Sequence, residues 1–195
     1  MTCSQIRSEL RATRRSLSPQ QQRRCADQIA SRLCNQMFFL RAGRVGLYLP
    51  NDGEADPSLI MDICLQSGKK CFLPALHPRV NRLHFVAYDR HTSMVANSYG
   101  IPEPSLKSTK TVPTWSLDLI LMPLVGFDRQ GNRLGMGGGY YDRTLAFVNA
   151  GRPPAPRLVG LAHSCQEVAS IPSNDWDVAV EKIITDREII CAKPK

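Results

Sequence analysis

Four glycines lie within five positions of one short segment, at Gly135 and 137–139. Glycine loses more backbone freedom on folding than any other residue, so this spacing is favoured where the backbone takes a positive φ or approaches another group closely. An apolar run at 119–125 precedes the segment and a helical pattern follows it. A strand, a glycine loop and a helix N-terminus together present free N–H groups to an anion. With Arg133 and Arg143 on either side, the residues predict a phosphate-binding loop.

Asp142 follows the glycines in the first turn of the expected helix. A carboxylate there either stabilises the helix through its dipole or binds a metal ion. Mg²⁺ in nucleotide sites takes one or two carboxylates together with phosphate oxygens and water. Asp175 and Asp177 are candidates for a second carboxylate. Spacing alone leaves the helix-dipole and Mg²⁺ interpretations of Asp142 equally supported.

The glycine loop differs from the two commonest nucleotide-binding motifs. It is not a Walker motif, because no G-K-[ST] follows it. Gly135 and Gly137 match the start of G-x-G-x-x-G, but Tyr140 occupies the third glycine position. A purely structural turn is the alternative to phosphate binding. Tyr140 and Tyr141 have rings that could stack on a planar ligand, with one of the two expected in the core.

The histidines and cysteines show no catalytic or metal-binding pattern. His77, His84, His91 and His163 lack metal-ligand spacing and are interpreted as loop or packing residues. The seven cysteines include no C-x-x-C pair, and the N-terminus has no apolar signal segment. Reduced thiols and a cytoplasmic location are therefore predicted, without a covalent mechanism.

Size and charge narrow the possible partners. A chain of 195 residues suits one domain, here 1–195, and no apolar run approaches the roughly 20 residues that span a bilayer. The net charge of +8 is concentrated in residues 1–44, which hold nine arginines and two acids. Such a surface favours a nucleic acid, a nucleotide or a carboxylate-rich small molecule. A solvated helix face is the alternative interpretation for most of these arginines.

Hydrophobic periodicity predicts an alternating α/β chain, which is typical of parallel strands with crossover helices. Ligands in such sheets lie beyond the carboxyl ends of the strands. Glu54 would lie there, although a solvated loop acid is the favoured interpretation from this context alone. Four helices are predicted: 4–16, a second from the capping box Ser18–Gln21 to Met37, a third from the Asp56-Pro57 cap to Gly68, and 140–149. The predicted strands cover 45–50, 70–74, 83–88, 118–123 and 157–162. A last apolar stretch covers 178–184.

The segment Val-Gly-Phe-Asp-Arg-Gln-Gly-Asn-Arg-Leu-Gly-Met-Gly-Gly-Gly-Tyr-Tyr-Asp-Arg at 125–143 resembles the signature of the 5-formyltetrahydrofolate cyclo-ligase (methenyltetrahydrofolate synthetase) family. The likeness extends from about residue 5 to residue 185. It includes an Arg-rich first helix ending in Leu-Ser-Pro, Tyr-Leu-Pro-Asn-Asp-Gly-Glu-Ala-Asp at 48–56, Asp118-Leu-Ile, and Trp-Asp…Thr at 176–185, in the family's order. The resemblance implies a three-layer α/β/α Rossmann-like sandwich with a mostly parallel sheet.

The resemblance also implies a reaction. Members close 5-formyltetrahydrofolate to 5,10-methenyltetrahydrofolate with ATP and Mg²⁺, and release ADP and phosphate. The formyl oxygen takes the γ-phosphoryl group, N10 attacks the activated carbon, and phosphate leaves. Such chemistry requires positioning and charge neutralisation and no protein nucleophile. The expected partners are ATP and a folate that can carry a polyglutamate tail, with no nucleic acid or membrane, for a monomeric protein.

The family's site residues carry over by position, with Arg133 and Tyr140 supporting the chemistry. Asp142 and Asp177 would hold Mg²⁺. A carboxylate at Glu54 could accept paired hydrogen bonds from the pterin edge. The implied ATP site comprises Arg7, Arg133, Leu134, Gly135, Met136, Gly137, Gly138, Gly139, Tyr140 and Tyr141; the implied folate site comprises Leu49, Glu54, Met136, Gly137, Gly138, Gly139 and Tyr140.

Four positions depart from the family pattern. Cys3 and Met136 stand where many members carry a basic residue, and this predicts weaker ATP binding. Trp176 replaces a frequent His, and Glu181 a frequent Asp.

Two further hypotheses compete with the cyclo-ligase. The first is a nucleic-acid-binding module built on the N-terminal arginines, and the second is a family member that binds ligands without turnover.

Overall fold

The computed structural model describes residues 2–107, 110–151 and 153–192. The helices are α1 (Cys3–Arg15), α2 (Pro19–Cys34), α3 (Met37–Arg41), α4 (Ser58–Gln66) and α5 (Tyr140–Asn149). The strands are β1 (Arg44–Gly46), β2 (Lys70–Leu76), β3 (Leu83–Tyr88), β4 (Met94–Ala96), β5 (Pro102–Pro104), β6 (Thr111–Val112), β7 (Leu119–Pro123), β8 (Gly126–Phe127), β9 (Arg133–Leu134), β10 (Arg157–Leu161), β11 (Lys182–Ile184) and β12 (Ile189–Cys191).

Eight strands form one central sheet in the order β12-β11-β10-β7-β1-β2-β3-β6. The five inner strands, from β11 to β2, run parallel to one another. The outer strands β12, β3 and β6 pair antiparallel to their neighbours. The predicted mostly parallel sheet is therefore confirmed, with antiparallel additions at both edges.

The side chains of β7 show why the sheet is covered on both faces. Leu119 and Leu121 pack into the core under α2–α4, whereas Ile120 and Met122 pack into the core under α5. Successive strand residues point to opposite faces, so a run that is apolar throughout must be buried on both sides. This arrangement confirms the predicted three-layer α/β/α fold.

Local sequence determines where the first two helices begin. Ser18 accepts a hydrogen bond from the Gln21 backbone and Gln21 bonds back to the Ser18 backbone, which is the predicted capping box of α2. Thr2 and Gln5 form the same motif at the start of α1. The first helix, with Ile6 and Leu10 buried, packs close to the β8–β9 hairpin.

A short hairpin separates β7 from the glycine loop, which sequence periodicity did not predict. Strands β8 and β9 pair antiparallel, and the fully buried Asp128 stabilises the turn between them. Its carboxylate accepts hydrogen bonds from the backbone N–H groups of Gln130, Asn132 and Ile171 at 3.0 Å each. The loop is thus positioned by the hairpin and the chain near residue 171, and not directly by β7.

Among the described residues, no helix combines the length and the apolar character needed to cross a membrane.

Candidate active site

A cavity of about 1040 Å³ opens beyond the carboxyl ends of β1, β2 and β7. Its walls come from α1, the loop after β1, the segment 97–103, the glycine loop with the start of α5, and the chain at 172–177. This is the position where open parallel sheets bind ligands. Every residue for which the family resemblance implies a role in the ATP, folate or metal sites lines this cavity.

The glycine loop takes a conformation that other residues would strain. Gly137 has φ 96° and Gly139, the N-cap of α5, has φ 63°. A Cβ on Gly138 would lie 2.8 Å from the Tyr140 ring. The glycines are therefore required by positive φ at two positions and by a close approach at a third. Because glycine has no side chain, the loop backbone itself lines the cavity wall.

Two guanidinium groups bind directly to the backbone of this loop. Arg7 of α1 donates from Nε to the Gly135 carbonyl at 2.8 Å. An ideal Cβ on Gly137 would lie 3.6 Å from Cζ of Arg7, so the guanidinium lies against the loop. Arg143 donates from Nη1 to the Gly138 carbonyl at 2.6 Å. The loop therefore carries positive charge from two helices.

Arg133 lies at the inner end of the cavity with a side chain only 5% exposed. Its Nη2 donates to Oδ1 of Asp142 at 2.5 Å, and its Nε donates to the Val178 carbonyl at 2.9 Å. The Val178 N–H in turn donates to Asp142 at 3.2 Å. Burial lowers the pKa of Arg133, and the charge of Asp142 opposes this shift. The pair joins the loop and the start of α5 to the chain near residue 178.

Asp142 and Asp177 offer a donor set that suits Mg²⁺. Both line the cavity, and the charges of both act on Arg133. Oδ2 of Asp177 accepts from the Asn174 N–H at 2.8 Å, which orients that carboxylate. Two carboxylates beside open space for phosphate oxygens and water match the hard oxygen ligands that Mg²⁺ takes. The residues present therefore fit this ion.

Glu54 lines the cavity from the loop after β1. Its side chain is 10% exposed, and Oε2 accepts from the Asn51 N–H at 3.1 Å. Burial raises the pKa of Glu54 to about 7, although the charge of Arg14, 3.8 Å away, opposes the shift. The interpretation of Glu54 as a solvated loop acid is therefore wrong. The half-buried Leu49 lines the same cavity.

Asp52, two residues before Glu54, binds three arginines of α1. Arg11 donates to Oδ2 at 2.7 Å, Arg14 donates to Oδ2 at 2.9 Å, and Arg15 pairs with Oδ1. Arg14 is fully buried and also donates to the Asp52 carbonyl. The solvated interpretation is therefore wrong for Arg14, whereas Arg11 and Arg15 keep side-chain exposures of 31% and 54%. Their spacing along one helix was the available signal, but nothing in the sequence identified the partner acid.

Tyr99 is a site residue that sequence reasoning missed. It lies between β4 and β5, and its hydroxyl lies 3.1 Å from the hydroxyl of Tyr140. The two rings meet edge to face with centroids 6.2 Å apart. Three of the departures from the family pattern, Cys3, Met136 and Trp176, also line the cavity. Met136 is 49% exposed and Trp176 is 69% exposed, so both present apolar surface at its mouth.

Comparison with known proteins identifies the family. The model of the 5-formyltetrahydrofolate cyclo-ligase family matches residues 2–186. The chain belongs to this family. It is 36% identical over 181 residues to the 5-formyltetrahydrofolate cyclo-ligase of Escherichia coli K12, covering 92% of this chain and 98% of that protein. It is 38% identical to the cyclo-ligase of Haemophilus influenzae, with coverages of 92% and 95%.

A solved structure shares the fold of this family member. The 5,10-methenyltetrahydrofolate synthetase of Aquifex aeolicus superposes with a TM-score of 0.83 at 28% sequence identity. The superposition covers 100% of this chain and 95% of that one. The family membership read from the glycine signature and the distant segments is therefore confirmed.

Proposed function

We propose that the protein closes 5-formyltetrahydrofolate to 5,10-methenyltetrahydrofolate in a reaction that requires ATP and Mg²⁺ and releases ADP and phosphate. The observation that carries this proposal is the convergence on one cavity of a glycine loop with bound arginines, two carboxylates suited to a metal, and the buried Glu54. Membership of the cyclo-ligase family supports it.

The ATP phosphates bind at the glycine loop in this proposal. The backbone N–H groups of the loop and the N-terminus of α5 attract anionic oxygens. Arg7 and Arg143 already lie against the loop and add positive charge. Arg133 is fixed by Asp142 and Val178, so its guanidinium needs little reorganisation when charge develops nearby.

The pterin of the folate binds near Glu54 and Leu49 in this proposal. A carboxylate pairs well with an edge that presents two N–H groups, as an aminopyrimidine does. Glu54 is held by the Asn51 N–H, and its burial makes such a pair stronger than it would be in water. Tyr140, which directly follows the glycine loop, lines the same cavity and can stack on the planar substrate.

The reaction then proceeds by two displacements. The formyl oxygen attacks the γ-phosphorus of ATP, the bond to the bridging oxygen breaks, and ADP leaves. N10 next attacks the formyl carbon and loses its proton as the carbon–oxygen bond breaks and phosphate departs. Arg7 and Arg133 neutralise the phosphoryl charge during transfer, and the cavity holds the two substrates in contact. No side chain of the protein forms a covalent bond with either substrate.

Mg²⁺, held by Asp142 and Asp177, would neutralise charge on the transferring phosphates when bound. The expected weaker ATP binding at Met136 and Cys3, the binding of a folate with a polyglutamate tail, the monomeric state and the cytoplasmic location stay predictions. The nucleic-acid-binding alternative is disfavoured, because Arg11, Arg14 and Arg15 are engaged with Asp52.

The test is a spectroscopic assay for methenyltetrahydrofolate. Absorbance in the methenyl-folate band should rise when 5-formyltetrahydrofolate, ATP and Mg²⁺ are all present, and stay flat when ATP or Mg²⁺ is omitted. Absence of turnover at micromolar enzyme, with ligand binding intact by calorimetry, would instead establish a binding protein that has lost catalysis. Turnover without ATP would contradict the phosphoryl-transfer route.

A further inference from the structure

Three potential metal ligands meet on the protein at a place outside the cavity. Cys25 comes from α2, His163 follows β10, and Asp186 lies in the turn between β11 and β12. One ligand atom from each lies within 4.8 Å of the others. His163 is 1% exposed, and Cys25 and Asp186 are half-buried. Sequence spacing could not reveal this group, because its members come from three distant segments.

The imidazole of His163 has one nitrogen engaged and one without a partner. Nε2 lies 3.2 Å from the Gly53 carbonyl, which can only accept a hydrogen bond, so Nε2 carries the proton. The lone pair is therefore on Nδ1, which is buried and makes no hydrogen bond of normal geometry, although the Gln166 N–H approaches the His163 side chain in a capping-box arrangement. Buried polar atoms are nearly always paired, so an orphaned lone pair requires an explanation.

We propose that Cys25 Sγ, His163 Nδ1 and a carboxylate oxygen of Asp186 bind a divalent ion of the Zn²⁺ class. A thiolate, an imidazole and a carboxylate are the ligand types that Zn²⁺ takes, with the remaining position open to water. Hard ions such as Mg²⁺ prefer oxygen ligands alone, so this site differs in selectivity from the pair Asp142 and Asp177.

The surroundings of the three side chains match those of metal ligands. A ligating histidine usually donates its other ring N–H to a carbonyl or carboxylate, as His163 does to Gly53. Asp186 accepts from the N–H of Ser164 at 2.6 Å and from its Oγ at 2.9 Å, which orients the carboxylate. Ligand atoms in a tetrahedral Zn²⁺ site are separated by about 3–4 Å, so the group needs a contraction of about 1 Å to close on the ion.

Binding at this site would act on the active-site loop. Gly53, the residue that holds His163, lies between Asp52 and Glu54. Its φ is 75°, and the chain there is closed against α1 by the bonds from Arg14 to Asp52. An ion that fixes His163 therefore fixes the carbonyl of Gly53. It would also join α2 to the chain after β10 and to the β11–β12 turn.

The experiment uses the full chain, freed of metal by a chelator, and titrates it with Co²⁺ and then Zn²⁺. We expect one equivalent of Co²⁺ to produce a thiolate-to-metal charge-transfer band in the near ultraviolet, and Zn²⁺ to abolish it. Zn²⁺ should also raise the thermal midpoint. Cys25→Ser and Asp186→Asn should each weaken Zn²⁺ binding by at least about tenfold.

Two controls separate this site from other ligands. Cys191→Ser removes an exposed thiol elsewhere and should leave the Co²⁺ band unchanged. Asp142→Asn alters the candidate Mg²⁺ site and should also leave it unchanged. A missing band in the unaltered protein would overturn the proposal, as would a band that survives Cys25→Ser or disappears in Cys191→Ser. If Cys25→Ser does not fold, Asp186→Asn, at a half-buried turn position, decides by the same readout.

Discussion

Two carboxylates in one loop, Asp52 and Glu54, meet opposite electrostatic conditions. Burial acts to raise the pKa of Asp52, but hydrogen bonds from Arg11, Arg15 and Arg14 outweigh it and lower the pKa to about 2. Burial dominates at Glu54 and raises its pKa to about 7. The first acid is satisfied by the protein itself, whereas the second is buried beside open cavity.

The difference in pKa distinguishes a carboxylate that stabilises the fold, Asp52, from one that is available to bind a ligand, Glu54. The cluster of Asp52 with Arg11, Arg14 and Arg15 fastens α1 to the loop after β1, and so places Arg7 at the glycine loop. These ion pairs therefore stabilise the folded protein. At Glu54 it holds a carboxylate that lacks a full cationic partner, which is typical of a group awaiting a ligand.

The largest expected effect comes from removing the anchor. Asp52→Ala should lower the free energy of unfolding by about 3–5 kcal/mol, because the fully buried Arg14 loses the carboxylate to which it is hydrogen-bonded and keeps only Glu54, 3.8 Å away. Urea denaturation measures this change. Asp52→Asn is the matched control, since asparagine tolerates the positive φ of 55° at this position. An unchanged denaturation midpoint in Asp52→Ala would show that the cluster contributes nothing to stability.

The next test concerns Asp142. Asp142→Asn should lower kcat by about 100-fold or more, since a metal ligand that stabilises phosphoryl charge supplies several kcal/mol to the transition state. The amide oxygen can still accept from Arg133, so the denaturation midpoint should shift much less than in Asp52→Ala. A variant that keeps its kcat would assign Asp142 to helix stabilisation alone.

Glu54→Gln tests the proposed role of the second carboxylate, Glu54, in folate binding. Removing a charge-assisted hydrogen bond costs about 1.5–3 kcal/mol, which corresponds to a rise of roughly 10- to 100-fold in KM for the folate. Stability should be unchanged or slightly higher, because burial already favours the neutral form of Glu54. KM for ATP serves as the internal control. Equal changes in the two KM values would contradict a folate role.

The smallest expected effect is that protein stability and folate binding change in two different pH ranges. Stability from Asp52 is fully present above its ordinary pKa of 3.8 and is lost as pH falls toward about 2. Folate binding by the charged form of Glu54 should strengthen as pH rises through about 7, so KM for folate should fall over that range. Glu54→Gln should abolish the second dependence and leave acid unfolding unchanged. Urea denaturation across pH measures the acid loss of stability, and steady-state kinetics across pH measure the change in KM for folate.

Part of this molecule follows from local sequence. The capping box at Ser18 and Gln21 and the burial of β7 on both faces depend on neighbouring residues, and both were predictable. The position of Glu54 beyond β1 follows from the rule that ligands bind at the carboxyl ends of parallel strands. The family signature added the assignment of each position.

The remainder depends on contacts between distant segments. Strands β8 and β9 are two residues each, too short for a periodic pattern. The partner of the α1 arginines and the group at His163 require the folded chain to bring separate segments together. Tyr99 lies in a segment without hydrophobic periodicity, so nothing marked it as a neighbour of Tyr140.

The hydrogen bond from Arg7 to Gly135 joins the first helix to a loop that is synthesised much later, so it determines when the active site can form during translation. The apolar side of α1, with Ile6 and Leu10, is covered by Leu134 and Ile171, which a ribosome adds much later. A nascent chain therefore exposes this helix until most of the protein has been synthesised. We expect the first helix to be the element that a chaperone holds during translation, and the active site to be among the last parts to form.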